Sequence, residues 1–290
     1  MSLTDHHGDH DDFGGLHRDL LATGRRVGRR RLLRLAGGIG ASFSALQLMG
    51  CGGNDSPTAP STGTSTGTAS TGTTGTGGTG AASCAARVPE ETAGPFPGDG
   101  SNGPNVLPLT GSVRSDIRPS FAGLSGAADG VPLTIALTVV SASTCAPLAG
   151  YAIYIWHCDR LGRYSLYNSG VTNQNYLRGV QQADASGRVA FTSIFPACYA
   201  GRWPHIHFEV YPTLAAAQSV ANKVATSQIA LPKVTCDEVY ATSGYEQSVR
   251  NLSQVSLASD MVFSDGASLE LATMVGSVSG GYTATLTVAI

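Results

Sequence analysis

The chain has 290 residues, with 18 lysines and arginines against 20 aspartates and glutamates, and its formal net charge is -2. A chain this close to neutral, without a basic cluster in its globular part, argues against nucleic acid as a partner. The composition changes along the chain, and three regions of different character follow one another.

Residues 1–51 have the features of an export signal. Basic residues in "GRRRLLRLAGG" precede an uncharged apolar run that is shorter than a typical membrane span. Arg29 and Arg30 resemble the twin-arginine signal of proteins that are exported already folded. The run ends at "LMGC", which resembles a lipobox. We therefore expect an exported lipoprotein, anchored in a membrane by a lipid on Cys51 and facing the periplasm or the cell exterior. A plain cleaved signal is the alternative.

Residues 52–83 are rich in Gly, Ser and Thr and hold almost no side chain that can form a core. Such a composition predicts a flexible, disordered linker. The remaining residues, 84–290, are enough for a single domain with a sizeable core.

The exported part is rich enough in cysteine to form disulfides, which export permits. Six cysteines are present in the whole chain. If Cys51 carries lipid, an odd number remains, so at least one thiol is unpaired, and spacing leaves the connectivity open. The remaining cysteines are Cys84, Cys145, Cys158, Cys198 and Cys236.

Strand signals dominate residues 84–290. Segments rich in β-branched and aromatic residues are separated by Gly, Pro, Asn and Asp. Helical spacing occurs only in 243–256 and, more weakly, in 213–225. This pattern predicts an all-β fold, an antiparallel β-sandwich with short helical insertions. The predicted strands cover 131–143, 150–158, 187–195, 205–211 and 281–290.

The strand "HIHFEVY" at 205–211 carries a His-x-His pair. Because side chains alternate along a strand, His205, His207 and Glu209 share one face, and the apolar residues between them share the other. Two imidazoles about 7 Å apart along a strand can lean onto one metal ion. The same pair also occurs in strands by chance.

Other polar and aromatic residues accompany this pair. Tyr199 and Arg202 precede His205 in a turn-rich segment, and Tyr164 follows "GR" after the strand "YAIYIWHC". Tyrosines at strand ends often serve only as amphipathic packing residues. In that case Tyr167 and Tyr176 would be equally good candidates for the site tyrosines.

The order of these pieces is similar to one known family. "GRY", "LRGVQQADASGRVAFTSIFPACY", "GRWPHIHFEV" and "ATSQIALP" occur in the order found in the intradiol ring-cleavage dioxygenases, the family of catechol and protocatechuate dioxygenases. "WHCDRLGRYSLY" and "YLRGVQ" resemble the exported branch of that family. The resemblance covers roughly residues 89–235.

The resemblance implies a β-sandwich that holds one non-haem Fe(III) through two tyrosines and two histidines. Carried over position by position, these ligands are Tyr164, Tyr199, His205 and His207. Phenolate is a hard anionic donor that favours ferric iron, whereas imidazole accepts several metals. A zinc hydrolase would more often combine histidine with carboxylate or cysteine.

The resemblance also implies a reaction and residue roles. A catechol-type aromatic diol and O2 would give a cis,cis-muconic acid, without an organic cofactor. Arg202 would face the substrate and stabilise negative charge on its ring. Gln228 resembles a glutamine that lines the same pocket, and Tyr199 is the candidate for the tyrosine that leaves when substrate binds.

One departure from the family pattern lies beside Tyr199. Ala197-Cys198 replaces the usual Gly-Trp there, and Cys158, beside the loop of the other tyrosine, is a candidate disulfide partner for Cys198. The stretch "EETAGPFPGDG" at 90–100 resembles the family's segment before the fold, and it either walls the pocket or forms only a turn.

Two other functions stay open at this point. A cell-surface β-sandwich binding protein would keep the strands and the metal without turnover, and a zinc- or copper-dependent enzyme would use the same scaffold. Neither the choice of aromatic diol nor the oligomeric state follows from the sequence.

Overall fold

The structure, a computed structural model, describes residues 86–290, and the signal, lipobox and linker predicted for 1–83 lie outside them. Within this range the chain forms eight strands and two α-helices. The strands are β1 (Pro132–Val140), β2 (Ala152–Trp156), β3 (Arg178–Gln182), β4 (Arg188–Ile194), β5 (His205–Tyr211), β6 (Ala225–Ala230), β7 (Thr273–Ser277) and β8 (Gly281–Ala289), and the helices are α1 (Lys233–Tyr240) and α2 (Glu246–Leu252).

The strands form two four-stranded sheets, as a sandwich requires. The first has the order β4-β1-β8-β7, and the second has the order β3-β2-β5-β6. Every pair in the second sheet is antiparallel. In the first sheet β1 and β8 run parallel, with Leu133 opposite Tyr282. The prediction of an all-β sandwich is therefore confirmed, but its purely antiparallel form is wrong for this one pair.

The main core lies between the two sheets. Strand β1 alternates buried and half-buried residues, and Leu133, Ile135, Leu137 and Val139 face inward. Strand β5 contributes Ile206, Phe208 and Val210 to the same cluster. The apolar side chains that alternate along these strands thus bury one face of each sheet, as the period of two predicted.

Strand β5 is nevertheless buried on both faces. On its other face Tyr211 packs in a second cluster with Tyr154 and Trp156 of β2, and with Ala93 and Phe96 from the chain before β1. The segment before the first strand therefore covers the outer face of the second sheet. This cover shields the face that carries His205 and His207.

The helical predictions are partly confirmed. Helix α2 lies within the predicted 243–256, whereas 213–225 holds two short 3-10 turns, Ala216–Gln218 and Val220–Asn222, separated by an extended Ser219. Helix α1 was not predicted; it buries Cys236, Val239 and Tyr240 at helical spacing. Within 86–290 no helix is both long and apolar enough to cross a membrane.

The cysteines differ from one expectation. Cys145 is disulfide-bonded, whereas Cys158, Cys198 and Cys236 are buried free thiols. The proposed bridge between Cys158 and Cys198 is therefore wrong. The Sγ atoms of these two residues instead contact backbone carbonyls, Cys158 that of Ala197 at 3.6 Å and Cys198 that of Arg202 at 3.4 Å.

Candidate metal and substrate site

Four predicted site residues converge at one end of the outer face of the second sheet. The Nε2 atoms of His205 and His207 lie 3.1 Å apart. The Tyr164 hydroxyl lies 3.2 Å from His207 Nε2 and 3.4 Å from His205 Nε2, and the Tyr199 hydroxyl lies 3.3 Å from His205 Nε2. Ligands about 2 Å from a shared ion have spacings of about 3 Å. Two phenol oxygens and two imidazole nitrogens are thus arranged to surround one cation.

Both imidazoles turn their Nε2 atom towards this cluster. The Nδ1 atom of His205 lies 2.5 Å from the Trp203 carbonyl, which can only accept, so Nδ1 carries the proton and Nε2 is free to bind. His207 Nδ1 has no hydrogen-bond partner among the described residues. The His207 ring stacks instead on Trp156, with centroids 4.9 Å apart and planes 6° apart.

Burial keeps these imidazoles neutral. It lowers the pKa of His205 well below its usual value, and the nearby Arg202 charge lowers it further. The pKa of His207 is also lowered, by burial first and then by His205 and Arg202. A neutral imidazole is the form that binds a metal ion.

Tyr164 is buried, and its phenol needs a cation to ionise. Burial, together with the adjacent Tyr199, raises the pKa of Tyr164 well above its ordinary value. A multivalent cation between the four donors would offset this cost by direct attraction to the phenolate. The donor set therefore fits a cation that prefers anionic oxygen.

A tight turn after β2 places Tyr164. The buried Asp159 carboxylate accepts hydrogen bonds from the backbone N–H groups of Leu161 at 2.9 Å and Arg163 at 3.0 Å, and Asn168 Oδ1 accepts from the Tyr164 N–H at 2.7 Å. A Cβ at Gly162 would lie 3.1 Å from Tyr199 Cβ, and the φ of +82° there also favours glycine. The two tyrosine segments are therefore packed directly against each other.

The other two candidate tyrosines form hydrogen bonds outside the four-donor cluster. The Tyr167 hydroxyl accepts from the Gly98 N–H at 2.9 Å, and the Tyr176 hydroxyl donates to Asp159 at 3.0 Å. Glu209, on the same face of β5 as the histidines, accepts from Lys223 at 2.9 Å and from Tyr211 at 2.6 Å. Burial raises the pKa of Glu209 to about 6. Within 86–290 no group of three or more His, Cys, Asp or Glu side chains is arranged to hold a metal ion.

Arg202 and Gln228 lie together beside the four donors. Arg202 is 1% exposed, and its Nη2 donates to Gln228 Oε1 at 2.6 Å. Gln228 on β6 is directly opposite His207 on β5. The Arg202 charge influences both His205 and Tyr164, which agrees with a guanidinium close to the cluster.

The segment before the fold walls the site. A Cβ at Gly94 would lie 3.4 Å from His207 Cε1, and the Phe96 ring packs on Tyr164 and Tyr167 with centroids 5.2 and 5.1 Å apart. The stretch 90–100 therefore forms a wall of the pocket and is more than a turn. A separate groove of about 610 Å³ lies towards the other end of the sheet and contains none of the predicted site residues. It is lined by 107–113, Val180, Gln182, 214–215 and 217–218.

Sequence reasoning missed several residues that hold this site. Asp159 and Asn168 lie inside or beside the quoted motif "WHCDRLGRYSLY", so their position near Tyr164 was a usable signal. Arg178 lies in "YLRGVQ" and binds the carbonyls of Phe96 and Pro97. Asp260 pairs with Arg202 across 58 residues, and no local pattern indicates it.

Comparisons with known proteins agree with the motifs. The family model described as "Dioxygenase" matches residues 103–207, a range that includes Tyr164, Tyr199, Arg202, His205 and His207. No curated protein matches the chain.

Two solved structures share the fold, and a third is less similar. An intradiol ring-cleavage dioxygenase from Tetranychus urticae is 24% identical, with a TM-score of 0.57 over 71% of this chain and 95% of that one. A second dioxygenase structure is 24% identical, with a TM-score of 0.56 over 71% and 94% of the two chains. The dioxygenase domain of a carbohydrate-binding fusion from Streptomyces sp. SirexAA-E is 21% identical, with a TM-score of 0.43 over 70% and 97%.

The resemblance to intradiol ring-cleavage dioxygenases that the motifs indicated is thus confirmed, by the family model for the domain and by the first two structures for the fold. The family model, which is described as "Dioxygenase", agrees with the prediction of an oxidoreductase of this class over residues 103–207.

Proposed function

We propose that this protein is a non-haem Fe(III) dioxygenase that cleaves a catechol-type aromatic diol between its two hydroxyl groups. The observation that carries the proposal is the convergence of two phenol oxygens and two imidazole nitrogens, with contacts of 3.1–3.4 Å, beside a buried arginine. The reaction consumes one O2 and gives a cis,cis-muconate-type product that keeps both oxygen atoms.

Ferric iron is the metal that suits these donors best. Hard anionic phenolates favour Fe(III), and neutral imidazoles complete the set. When bound, the ion would draw electron density from the two substrate oxygens and make the ring reactive towards O2.

The two tyrosines would take different roles. Tyr164 is buried and its hydroxyl contacts both histidines, whereas Tyr199 is half-buried and its hydroxyl lies 3.3 Å from His205 Nε2. Tyr199 also precedes Gly201, whose φ is +80° in the turn before β5. These differences support Tyr199 as the ligand that leaves when substrate binds, and its phenolate oxygen would then accept a substrate proton.

Arg202 would stabilise negative charge that builds on the substrate ring. A fixed guanidinium in a buried site performs this task without reorganising. Gln228 would act beside it, since its Oε1 accepts from Arg202 and its Nε2 donates to the Thr92 carbonyl at 2.9 Å. These two contacts fix the orientation of the Gln228 amide.

The visible spectrum and metal content of the aerobically purified protein test the proposal. We expect bound iron and a tyrosinate-to-iron charge-transfer band that shifts when catechol is added. Tyr164→Phe and Tyr199→Phe should each weaken the band, because each removes one phenolate.

Tyr151→Phe is the matched control, because Tyr151 precedes β2 at the end of the sheet away from the histidines, and it should leave the band unchanged. A colourless protein that carries zinc or no metal, with no response to catechol, would contradict the proposal. That result would favour a surface binding protein or an enzyme that uses another metal.

We further propose that the enzyme works outside the cytoplasm as a lipoprotein anchored through Cys51. The twin-arginine pattern supports this location. That route exports proteins already folded, so a metal can be loaded before export.

A further inference from the structure

Asp260 lies outside the range that the dioxygenase model matches, yet it reaches the site. Its side chain is fully buried. One carboxylate oxygen, Oδ2, accepts from Arg202 Nε at 3.0 Å and from the Trp203 backbone N–H at 2.6 Å. The other, Oδ1, accepts from the backbone N–H groups of Val262 at 2.8 Å and Phe263 at 3.2 Å. The carboxylate is therefore held rigidly by its own loop while it binds Arg202.

The Arg202 guanidinium is held through two of its three nitrogens. Asp260 takes the Nε edge and Gln228 takes Nη2, so the plane of the group is fixed. Neither of these two bonds uses Nη1. Gln228 itself is fixed by the Thr92 carbonyl.

Charge gives Asp260 a second effect on Arg202. A guanidinium that is 1% exposed loses almost all of its hydration, and this loss is tolerated only when an anion and hydrogen-bond acceptors replace the water. Asp260 supplies the anion on the side of the guanidinium opposite to Nη1, because Nε and Nη1 lie on different edges of the group. Arg202 therefore stays charged. The carboxylate that pairs with it lies at Nε and not beside Nη1.

We propose that Asp260 is a positioning residue of the site, which acts by orienting Arg202 and keeping it charged. The segment 257–263, beyond the matched range, is then part of the active site. The catalytic meaning of this inference rests on the proposed function, whereas the orientation of Arg202 does not.

A purely structural role makes a different prediction. Asp260 also binds the backbone N–H groups of Trp203 and of Phe263, where the 3-10 turn Phe263–Asp265 begins, so in a purely structural role its loss would only loosen this loop. Such an effect would not depend on the side chain at position 202, whereas a positioning effect would. A double-mutant cycle separates the two roles.

The cycle compares kcat/KM for catechol in the iron-loaded wild-type protein, Asp260→Asn, Arg202→Gln and the double variant. We expect Asp260→Asn to lower kcat/KM about 10–100-fold, mainly through kcat, as for other residues that support a ligand or catalytic group. In the Arg202→Gln background the same change should have less than about a twofold effect. An equal loss in both backgrounds, or no loss in the wild type, would overturn the proposal.

A second variant is available if Asp260→Asn does not fold. Asp260→Glu keeps the negative charge but displaces it by one methylene. We expect it to lower kcat/KM about tenfold in the wild-type background and less than about twofold with Arg202→Gln. Equal losses would again overturn the proposal.

Side-chain NMR of the metal-free protein gives a readout that needs no turnover. The Nε–H resonance of Arg202, identified by its loss in Arg202→Gln, should exchange slowly with water because it is buried against Asp260. It should become rapidly exchanging in Asp260→Asn.

Glu238→Gln is the matched control for this signal. Glu238 lies on α1 and accepts a hydrogen bond from the Tyr282 hydroxyl at 2.5 Å. Removing its charge should leave the Arg202 signal unchanged. A protected Nε–H in Asp260→Asn would refute the positioning role. If the wild-type protein cleaves no catechol, the proposed function fails, and this NMR result alone decides the role of Asp260.

Discussion

His157 shows at the scale of one residue how burial fixes a protonation state. It lies next to Trp156, and its Nδ1 donates to the Cys158 carbonyl at 2.8 Å. Its Nε2 therefore accepts from the Ser193 hydroxyl at 2.7 Å. Burial lowers the pKa of His157 to about 4. The side chain is neutral at physiological pH and links β2 to β4 of the opposite sheet.

This depressed pKa predicts a pH dependence of stability. The unfolded chain takes up the His157 proton near pH 6.5, whereas the folded chain takes it up near pH 4, so the stability contribution is complete above about 6.5 and falls as the pH is lowered towards 4. His157→Gln keeps a donor and an acceptor but cannot titrate. Between pH 7.5 and 4.5 we expect the free energy of unfolding to fall by about 2 kcal/mol less in this variant than in the wild type.

Urea unfolding of the metal-free proteins at the two pH values measures this difference. His205 and His207 are present in both proteins, so their contributions cancel in the comparison. Equal pH dependence in the two proteins would show that His157 is not the group that titrates.

At the scale of the elements, Arg178 joins strand β3 to the segment that covers the site. It is buried, and its guanidinium donates to the carbonyls of Pro97 at 2.7 Å, Phe96 at 2.9 Å and Ser165 at 2.9 Å. Neither 96–97 nor 165 lies in a strand or helix, so Arg178 supplies hydrogen bonds that no ladder provides there, and the Pro97 carbonyl also accepts from the Tyr154 hydroxyl at 2.7 Å. Arg178 thus ties the pocket wall and the Tyr164 loop to the second sheet.

Replacing Arg178 should destabilise the fold. Arg178→Met keeps most of the volume but removes the donor from three carbonyls, two of them in buried hydrogen bonds, and we expect a loss of about 3 kcal/mol in the free energy of unfolding. Arg188→Met, at an exposed position on β4, should change it by less than about 0.5 kcal/mol. Guanidinium chloride unfolding measures both, and a similar loss in the two variants would argue against the role of Arg178.

At the scale of the whole molecule, the last third of the chain completes both the fold and the site. Strand β8 lies between β1 and β7 in the first sheet, and its parallel pairing with β1 joins the end of the chain to its first strand. The same region supplies α1, α2 and Asp260. The matched range 103–207 is therefore only part of the structural unit.

The proposed anchor also concerns the molecule as a whole. Cells that express the full chain and grow with a clickable fatty acid should label the protein and keep it in the membrane fraction. Cys51→Ala should abolish the label and release the protein, because a lipid on that thiol is the expected attachment. Cys158→Ala is the control, since this thiol is buried and should not affect labelling. Unchanged labelling of Cys51→Ala would contradict a lipid at this residue.

What the sequence by itself determined was local in origin. The period of two in "HIHFEVY" placed His205 and His207 on one face, and five of the eight strands carried enough β-branched and aromatic residues to be predicted. The motifs indicated Tyr164, Tyr199, Arg202 and Gln228, which the structure brings together. These features could be predicted because strand alternation and motif spacing depend only on neighbouring residues.

The tertiary structure alone decided the rest. The strands β3 "RGVQQ", β6 "ATSQIA" and β7 "TMVGS" lack a clear alternation, because all three are edge strands with polar residues, and β6 is in addition buried by chain that comes from elsewhere. The parallel pairing of β1 with β8 and the bond between Arg202 and Asp260 join residues far apart in the chain. Such contacts depend on the path of the whole backbone, which no local pattern encodes.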